Sequence, residues 1–129
     1  MPNTAHVLVA EDSALNRKLV GSILEKLGCQ VDMAADGNEA VQAVAARPYA
    51  MVLMDCQMPV MDGFEAARAI RQKEKAGRLP IIALTGTDSE GERQKCLDAG
   101  MDDFLTKPIT LDGLRVAIER WVPASAGGA

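Results

Sequence analysis

The sequence predicts an α/β domain built on a doubly wound parallel sheet of five βα units. Short apolar runs alternate with helix-like stretches from one end of the chain to the other, the pattern left by successive βαβ units. Three of the runs are almost wholly apolar, as strands covered by helices on both faces must be. A chain of 129 residues is long enough for one buried core without disulfides or a structural metal.

The predicted strands cover residues 6–10, 30–34, 50–54, 80–84 and 103–106. The first, third and fourth are continuous apolar runs and belong inside the sheet. The second alternates, with Val31 and Met33 set between Gln30 and Asp32, and the fifth is short, so both belong at the edges. With right-handed crossovers this gives the flavodoxin-like (βα)5 order 2-1-3-4-5.

The first helix, over 14–27, carries Leu15, Leu19, Val20, Ile23, Leu24 and Leu27 on one stripe that is expected to pack on the sheet, with Gly28 as its stop. The next three open at Asp36 with Glu39 three residues on, at Asp62 with Glu65, and at Ser89 with Glu92, the spacing of capping boxes. The fifth begins at Thr110, turns Leu114, Ala117, Ile118 and Trp121 inward, and stops before Pro123. The chain reads as a single domain over 1–129, with a core over about 6–122 and a flexible tail over 123–129. It shows no internal repeat and no output module.

Composition excludes several functions. No apolar run approaches the roughly 20 residues that cross a bilayer, and residues 1–9 lack the features of a secretory leader. Membrane insertion is not expected, and the cytoplasm is the default location. A net charge of -4 and 3% aromatic residues argue against direct nucleic-acid binding. Cys29, Cys56 and Cys96 are odd in number and far apart, which suits reduced thiols. Cys56, beside Asp55, reads as a neutral thiol filling space, with oxidation as the alternative.

Polar residues collect where the strands end: Glu11 and Asp12, Asp55, Thr85 and Lys107. Ligands of a parallel sheet bind at that edge, where the strand order reverses, here between strands one and three. Three carboxylates gathered there repel one another and call for a cation, and an all-oxygen site suits Mg2+ or Mn2+. Lys107 as a point charge and Thr85 as a hydroxyl donor complete a set able to grip a transferring phosphoryl group. Taken singly, each residue reads as a cap, a turn or a loop. Five residues of suitable type at four strand ends do not read as coincidence.

Four stretches carry a resemblance: Val7-Leu8-Val9-Ala10-Glu11-Asp12, Met54-Asp55-Cys56-Gln57-Met58-Pro59-Val60-Met61-Asp62-Gly63, Ala83-Leu84-Thr85-Gly86, and Asp103-Phe104-Leu105-Thr106-Lys107-Pro108. Over residues 7 to about 121 the chain resembles the response-regulator receiver domain of two-component signalling. The wording around Asp55, with Asn16, is most like receivers of hybrid histidine kinases. The resemblance implies that Asp55 accepts a phosphoryl group and that Asp12, Asp55 and the Gln57 backbone carbonyl hold the metal. Glu11, standing where an aspartate is commoner, would help through water. It implies a cis Lys107-Pro108 bond, with Lys107 stabilising the transferring group. It makes Thr85 and Phe104 a switch pair that changes the face of helix four, strand five and helix five. Ordinary edge-strand packing is the alternative for Phe104.

The implied partners are a histidine kinase or a histidine phosphotransfer domain, and a downstream output partner or fused domain. The chain would not be an enzyme in its own right, but a phospho-acceptor promoting its own Mg2+-dependent phosphorylation and dephosphorylation. Gln57 and Thr87 occupy the positions that tune the lifetime of the phosphorylated form, and neither is a carboxylate. An aspartyl-phosphate phosphatase of the haloacid-dehalogenase type is a rival, but it needs an acid two residues after the nucleophile, where Gln57 stands. A flavodoxin-like electron carrier is disfavoured because Glu11 and Asp12 would repel a flavin phosphate. A docking domain that works without phosphorylation is the remaining alternative, and the complete acid, hydroxyl and lysine set argues against it.

Overall fold

The computed structural model of the chain describes residues 5–58, 60–74, 78–86 and 89–122. Pro59, Thr87, Pro123 and the predicted tail lie outside them. The elements alternate as β1 (His6–Ala10), α1 (Ala14–Lys26), β2 (Gln30–Ala34), α2 (Gly37–Ala46), β3 (Met51–Asp55), α3 (Gly63–Lys73), β4 (Ile81–Thr85), α4 (Glu90–Asp98), β5 (Asp103–Thr106) and α5 (Leu111–Trp121). All strand pairs are parallel, and the order is β2-β1-β3-β4-β5, as the polarity of the runs predicts. Among the described residues no helix is long and apolar enough to cross a membrane.

Side chains alternate across the sheet, and the core has two halves. Leu8, Val52, Met54 and Ala83 pack with Ala40, Ala66, Ala67 and Ile70 of α2 and α3 and with Cys96 of α4. Val7, Val9, Leu53 and Ile82 pack on the opposite face with Val20 and Leu24 of α1 and Leu114 and Ile118 of α5. Every residue of β3 and β4 is buried, which is why those runs are unbroken in the sequence.

The structure corrects several expectations. β3 and β4 begin and end one residue later than predicted. Asp55 is in register with Leu84, and Thr85 with Thr106, so both are ladder residues rather than loop residues. Backbone pairing is indifferent to side-chain polarity, and the apolar pattern therefore stopped one residue short. On α1, Leu15 and Leu19 are 67% and 56% exposed and do not pack on the sheet. The six predicted residues span about 180° of the helix at 100° per residue, wider than the face that buries Val20, Gly21 and Leu24.

The helix starts fall at the predicted caps, with differences in the reciprocal half. At α3 the box is complete: Asp62 Oδ1 accepts from the Glu65 N–H, and Glu65 Oε1 from the Asp62 N–H. At α2 Glu39 reaches back one residue further and accepts from the Ala35 N–H at 2.8 Å. At α4 Ser89 accepts from the Glu92 N–H, while the Glu92 carboxylate turns toward Thr85. The predicted stops and inward faces hold elsewhere: Gly28 takes a φ of 88°, and Trp121, half-buried, donates its indole N–H to Asp103 at 2.9 Å.

At the start of the strands, His6 lies 3.1 Å from Asp32. Asp32 also accepts from the Tyr49 hydroxyl at 2.8 Å and from Arg47 at 3.0 Å. These bonds hold the Asp32 carboxyl below its usual range, the Tyr49 hydroxyl contributing most. Burial, followed by the bond to Asp32, pushes the Tyr49 phenol up to about 12.

Candidate functional site at the carboxyl edge of the sheet

Among the described residues, three polar or charged side chains are buried: Glu11, Asp55 and Thr85. All three stand where a strand of the sheet ends. Buried polar groups are costly unless paired, so their gathering at one rim marks it as chemically distinct from the rest of the core.

β1 delivers the acid pair. The Glu11 N–H still bonds to Ala34 O at 3.0 Å, carrying Glu11 inward, while Asp12 turns out to solvent. Arg17, one turn into α1, donates to the carbonyls of Glu11 at 2.7 Å and Asp12 at 3.1 Å, fixing this backbone against the helix. β3 delivers Asp55, whose Oδ1 accepts from the Gln57 N–H at 3.0 Å. Gly63 allows α3 to start directly against the end of β3: a Cβ there would collide with the Asp55 carbonyl oxygen, and its N–H bonds to Cys56 O at 3.2 Å.

Lys107 follows β5, with its N–H on Thr85 O at 2.8 Å and a cis bond to Pro108. Its Nζ lies 3.2 Å from Asp55 Oδ2 and 3.2 Å from Glu11 Oε1. Burial works to lower its pKa, but the Asp55 and Glu11 carboxylates outweigh burial and the net shift is upward. Lys107 is therefore a fixed positive charge.

Carboxylate oxygens of Glu11, Asp12 and Asp55 can all lie within 4.8 Å of one another. Among the described residues these three carboxylates gather against the Lys107 ammonium, an excess of acid that a divalent cation would offset. Glu11 Oε1 is shielded from solvent and receives no well-directed hydrogen bond. A hard divalent cation, with its waters, satisfies oxygens of this kind, so the residues present fit Mg2+ or Mn2+. The cleft in front of them, about 770 Å3, is also lined by Asn16, Gln57, Asp62 and Lys95.

Residues 7–119 match the response regulator receiver domain family. The chain belongs to that family. It is 40% identical over 124 residues to the hybrid signal transduction protein dokA of Dictyostelium discoideum, covering 95% of this chain and 7% of that protein. The chain thus spans a small fraction of the length of the curated relatives it matches. The receiver domain of the sensor histidine kinase PA1611 from Pseudomonas aeruginosa PAO1, solved with a magnesium ion coordinated in its active-site cleft, superposes with a TM-score of 0.85 and 41% identity, covering 92% of this chain and 97% of that one. The receiver of Saccharomyces cerevisiae Ssk1, in co-crystal with the histidine phosphotransfer protein Ypd1, gives a TM-score of 0.87 at 32% identity, covering 95% of this chain and 91% of that one.

In this receiver Asp55, Lys107, Glu11 and Asp12 meet in one cluster, and Gln57 borders it through its N–H on Asp55. Thr85 is one strand away, and its hydroxyl donates to Glu92 Oε2 at 3.4 Å. Phe104 is half-buried on β5, packed against the core half that contains Cys96, with the Arg93 guanidinium 4.7 Å from its ring centre. Cys56, considered for exposure beside Asp55, is 2% exposed. Burial above all pushes its thiol far up, so it is an unreactive neutral group. Thr87, expected with Gln57 to tune the lifetime of the phosphorylated form, lies outside the described residues.

Sequence reasoning missed Arg17, Glu92, Arg93 and Lys95. Arg17 had a signal, since a cation one turn into a helix that follows an acid pair can reach back over that pair. Glu92 was credited only to its cap. Arg93 and Lys95 are exposed and look like ordinary surface charges on a helix.

Proposed function

We propose that this receiver domain accepts a phosphoryl group on Asp55 from the phosphohistidine of a histidine kinase or histidine phosphotransfer domain. The observation that carries this reading is the burial of Glu11, Asp55 and Thr85, alone of the polar or charged described residues, at the rim where Lys107 Nζ reaches two carboxylates at 3.2 Å. A stability-driven core would not retain such a group; a reaction site does.

An Asp55 carboxylate oxygen attacks phosphorus in line, the phosphorus–nitrogen bond breaks with its electron pair leaving on the imidazole, and an acyl phosphate forms. Lys107 is positioned to neutralise charge on the transferring oxygens. Asp12, Asp55 and the Gln57 carbonyl would hold Mg2+ or Mn2+, with Glu11 assisting through water. When bound, the ion supplies positive charge to the phosphoryl oxygens and the acid cluster. Thr85 and Phe104 then act as the switch pair, altering the face of α4, β5 and α5 that an output partner or fused domain reads. The domain serves as acceptor and assists its own phosphorylation and dephosphorylation, without turning over a separate small substrate.

An apolar edge formed by Leu15 and Leu19 on α1, 67% and 56% exposed, begins beside the cleft and suits a helical phosphodonor partner. Three free buried thiols, Cys29, Cys56 and Cys96, fit the reducing cytoplasm. The test is incubation with acetyl phosphate, with and without Mg2+, followed by intact mass. The wild type should gain one phosphoryl group only with metal, and Asp55→Asn none. No gain in the wild type, with folding intact, would favour a docking domain that works without phosphorylation.

A further inference from the structure

α4 opens with two adjacent residues that each hold one member of the switch pair. Glu92 is half-buried, while its neighbours from Ser89 to Lys95 are exposed. Its carboxylate accepts the Thr85 hydroxyl at 3.4 Å instead of completing the cap of its own helix. Arg93 stacks over the Phe104 ring at 4.7 Å.

A threonine hydroxyl carries a single hydrogen. Given to Glu92, that hydrogen is not available to a phosphoryl oxygen. We infer that Glu92 is a positioning residue that competes with the phosphorylated acceptor for Thr85, with Arg93 holding Phe104 in the matching resting position, so that the first turn of α4 latches the unphosphorylated state. This rests on the assignment of Asp55 as acceptor and Thr85 as its switch hydroxyl. A phosphoryl group brings further negative charge toward Glu92, which weakens the latch as it draws the hydroxyl away. The two contacts sit on consecutive residues of one helix, so release of the first frees the helix to release the second. α4 buries one residue, Cys96, so side-chain contacts carry much of its hold on the sheet.

The latch predicts a specific thermodynamic pattern. A ligand that needs Thr85 must displace Glu92, so its affinity is reduced by whatever the latch contributes. Beryllofluoride with Mg2+, a mimic of the bound phosphoryl group, serves as the probe, and Mg2+ alone as the control. Glu92→Ala should bind beryllofluoride about three- to tenfold more tightly than the wild type, the range of an ordinary net hydrogen bond, which is what a contact as long as 3.4 Å supports. Glu92→Gln, which keeps an acceptor without the charge, should fall between. Mg2+ affinity should stay within about twofold, because the ligand set is untouched. In a Thr85→Ala background the gain from Glu92→Ala should vanish, whereas relief of general charge repulsion would survive there.

Thermal unfolding establishes that each variant is folded, and Arg93→Ala gives an independent arm with the same expected direction. Equal or weaker beryllofluoride binding by Glu92→Ala, or an undiminished gain in the Thr85→Ala background, overturns the latch while leaving the acceptor assignment standing. Failure of the wild type to bind beryllofluoride in the presence of Mg2+ overturns both.

Discussion

Lys107→Met tests the electrostatics of the site directly, because it keeps the length of the side chain and removes its charge. Lys107 Nζ lies 3.2 Å from both Asp55 Oδ2 and Glu11 Oε1, whose side chains are 4% and 1% exposed. At an effective dielectric constant of about 20 each contact is worth roughly 5 kcal/mol of gross attraction, most of it offset by desolvation. Removing one partner of a fully buried pair costs about 3–5 kcal/mol. The Lys107 side chain is 31% exposed, so water already shares the load and the loss should be nearer ~2–3 kcal/mol. For a chain of this length that lowers the unfolding midpoint by roughly 8–12 °C.

The assay is urea and thermal unfolding of wild type and variant in EDTA, repeated in millimolar Mg2+. Magnesium replaces the missing positive charge, so the difference between the two proteins should shrink by about half or more when it is present. A loss in EDTA below about 0.5 kcal/mol, the size of an ordinary surface substitution, would refute the reasoning. So would a loss that Mg2+ leaves unchanged.

Gly63→Ala forces a methyl group against the Asp55 carbonyl oxygen; a cost of about 1–3 kcal/mol is expected, together with slower uptake from acetyl phosphate, as measured by unfolding and intact mass. Val60 has a φ of 70° and is 84% exposed, so Val60→Asn removes left-handed strain without losing burial and should raise stability by about 1 kcal/mol, read as an upward shift of the thermal midpoint. Tyr49→Phe removes the hydrogen bond to Asp32, costing ~1 kcal/mol near neutral pH. The folded state holds the phenol neutral, with its pKa up to about 12. Its contribution is therefore complete below the unfolded value of about 10 and is lost as pH rises toward 12. Urea unfolding at about pH 8 and about pH 11 should show the difference between wild type and Tyr49→Phe shrinking.

The sheet was legible because its inner strands are buried on both faces and leave unbroken apolar runs, while Gln30 and Asp32 mark an edge. The acid pair, Asp55, Thr85 and Lys107 were legible because a strand end is where an apolar run gives way to a polar residue. Residues whose roles depend on direction in space were not. The spacing of α1 does not say which half of an apolar stripe the sheet covers, so Leu15 and Leu19 were misplaced. Glu92 satisfies a cap pattern in sequence, yet its side chain has a second acceptable partner across the β4–α4 connection. Arg93 gives no sign in one dimension that an aromatic ring from β5 lies beneath it, because that contact depends on how a helix is set against the strand that follows it.

The close approach at Gly63 has a mechanical consequence. On that side of Asp55, α3 is joined to the end of β3 through main-chain atoms, with the Gly63 N–H on Cys56 O and no room for a side chain between them, and α3 buries Gly63, Ala66, Ala67 and Ile70. On the other side, α4 buries a single residue, Cys96, and its contacts among the described residues include three made by the tips of long side chains, Glu92 on Thr85, Arg93 on Phe104 and Lys95 on Phe64. The molecule is held more stiffly on one side of the Asp55 carboxylate than on the other. A change in load at Asp55 is therefore expected to fall unevenly, with more of any movement on the side of α4 than on the side of α3.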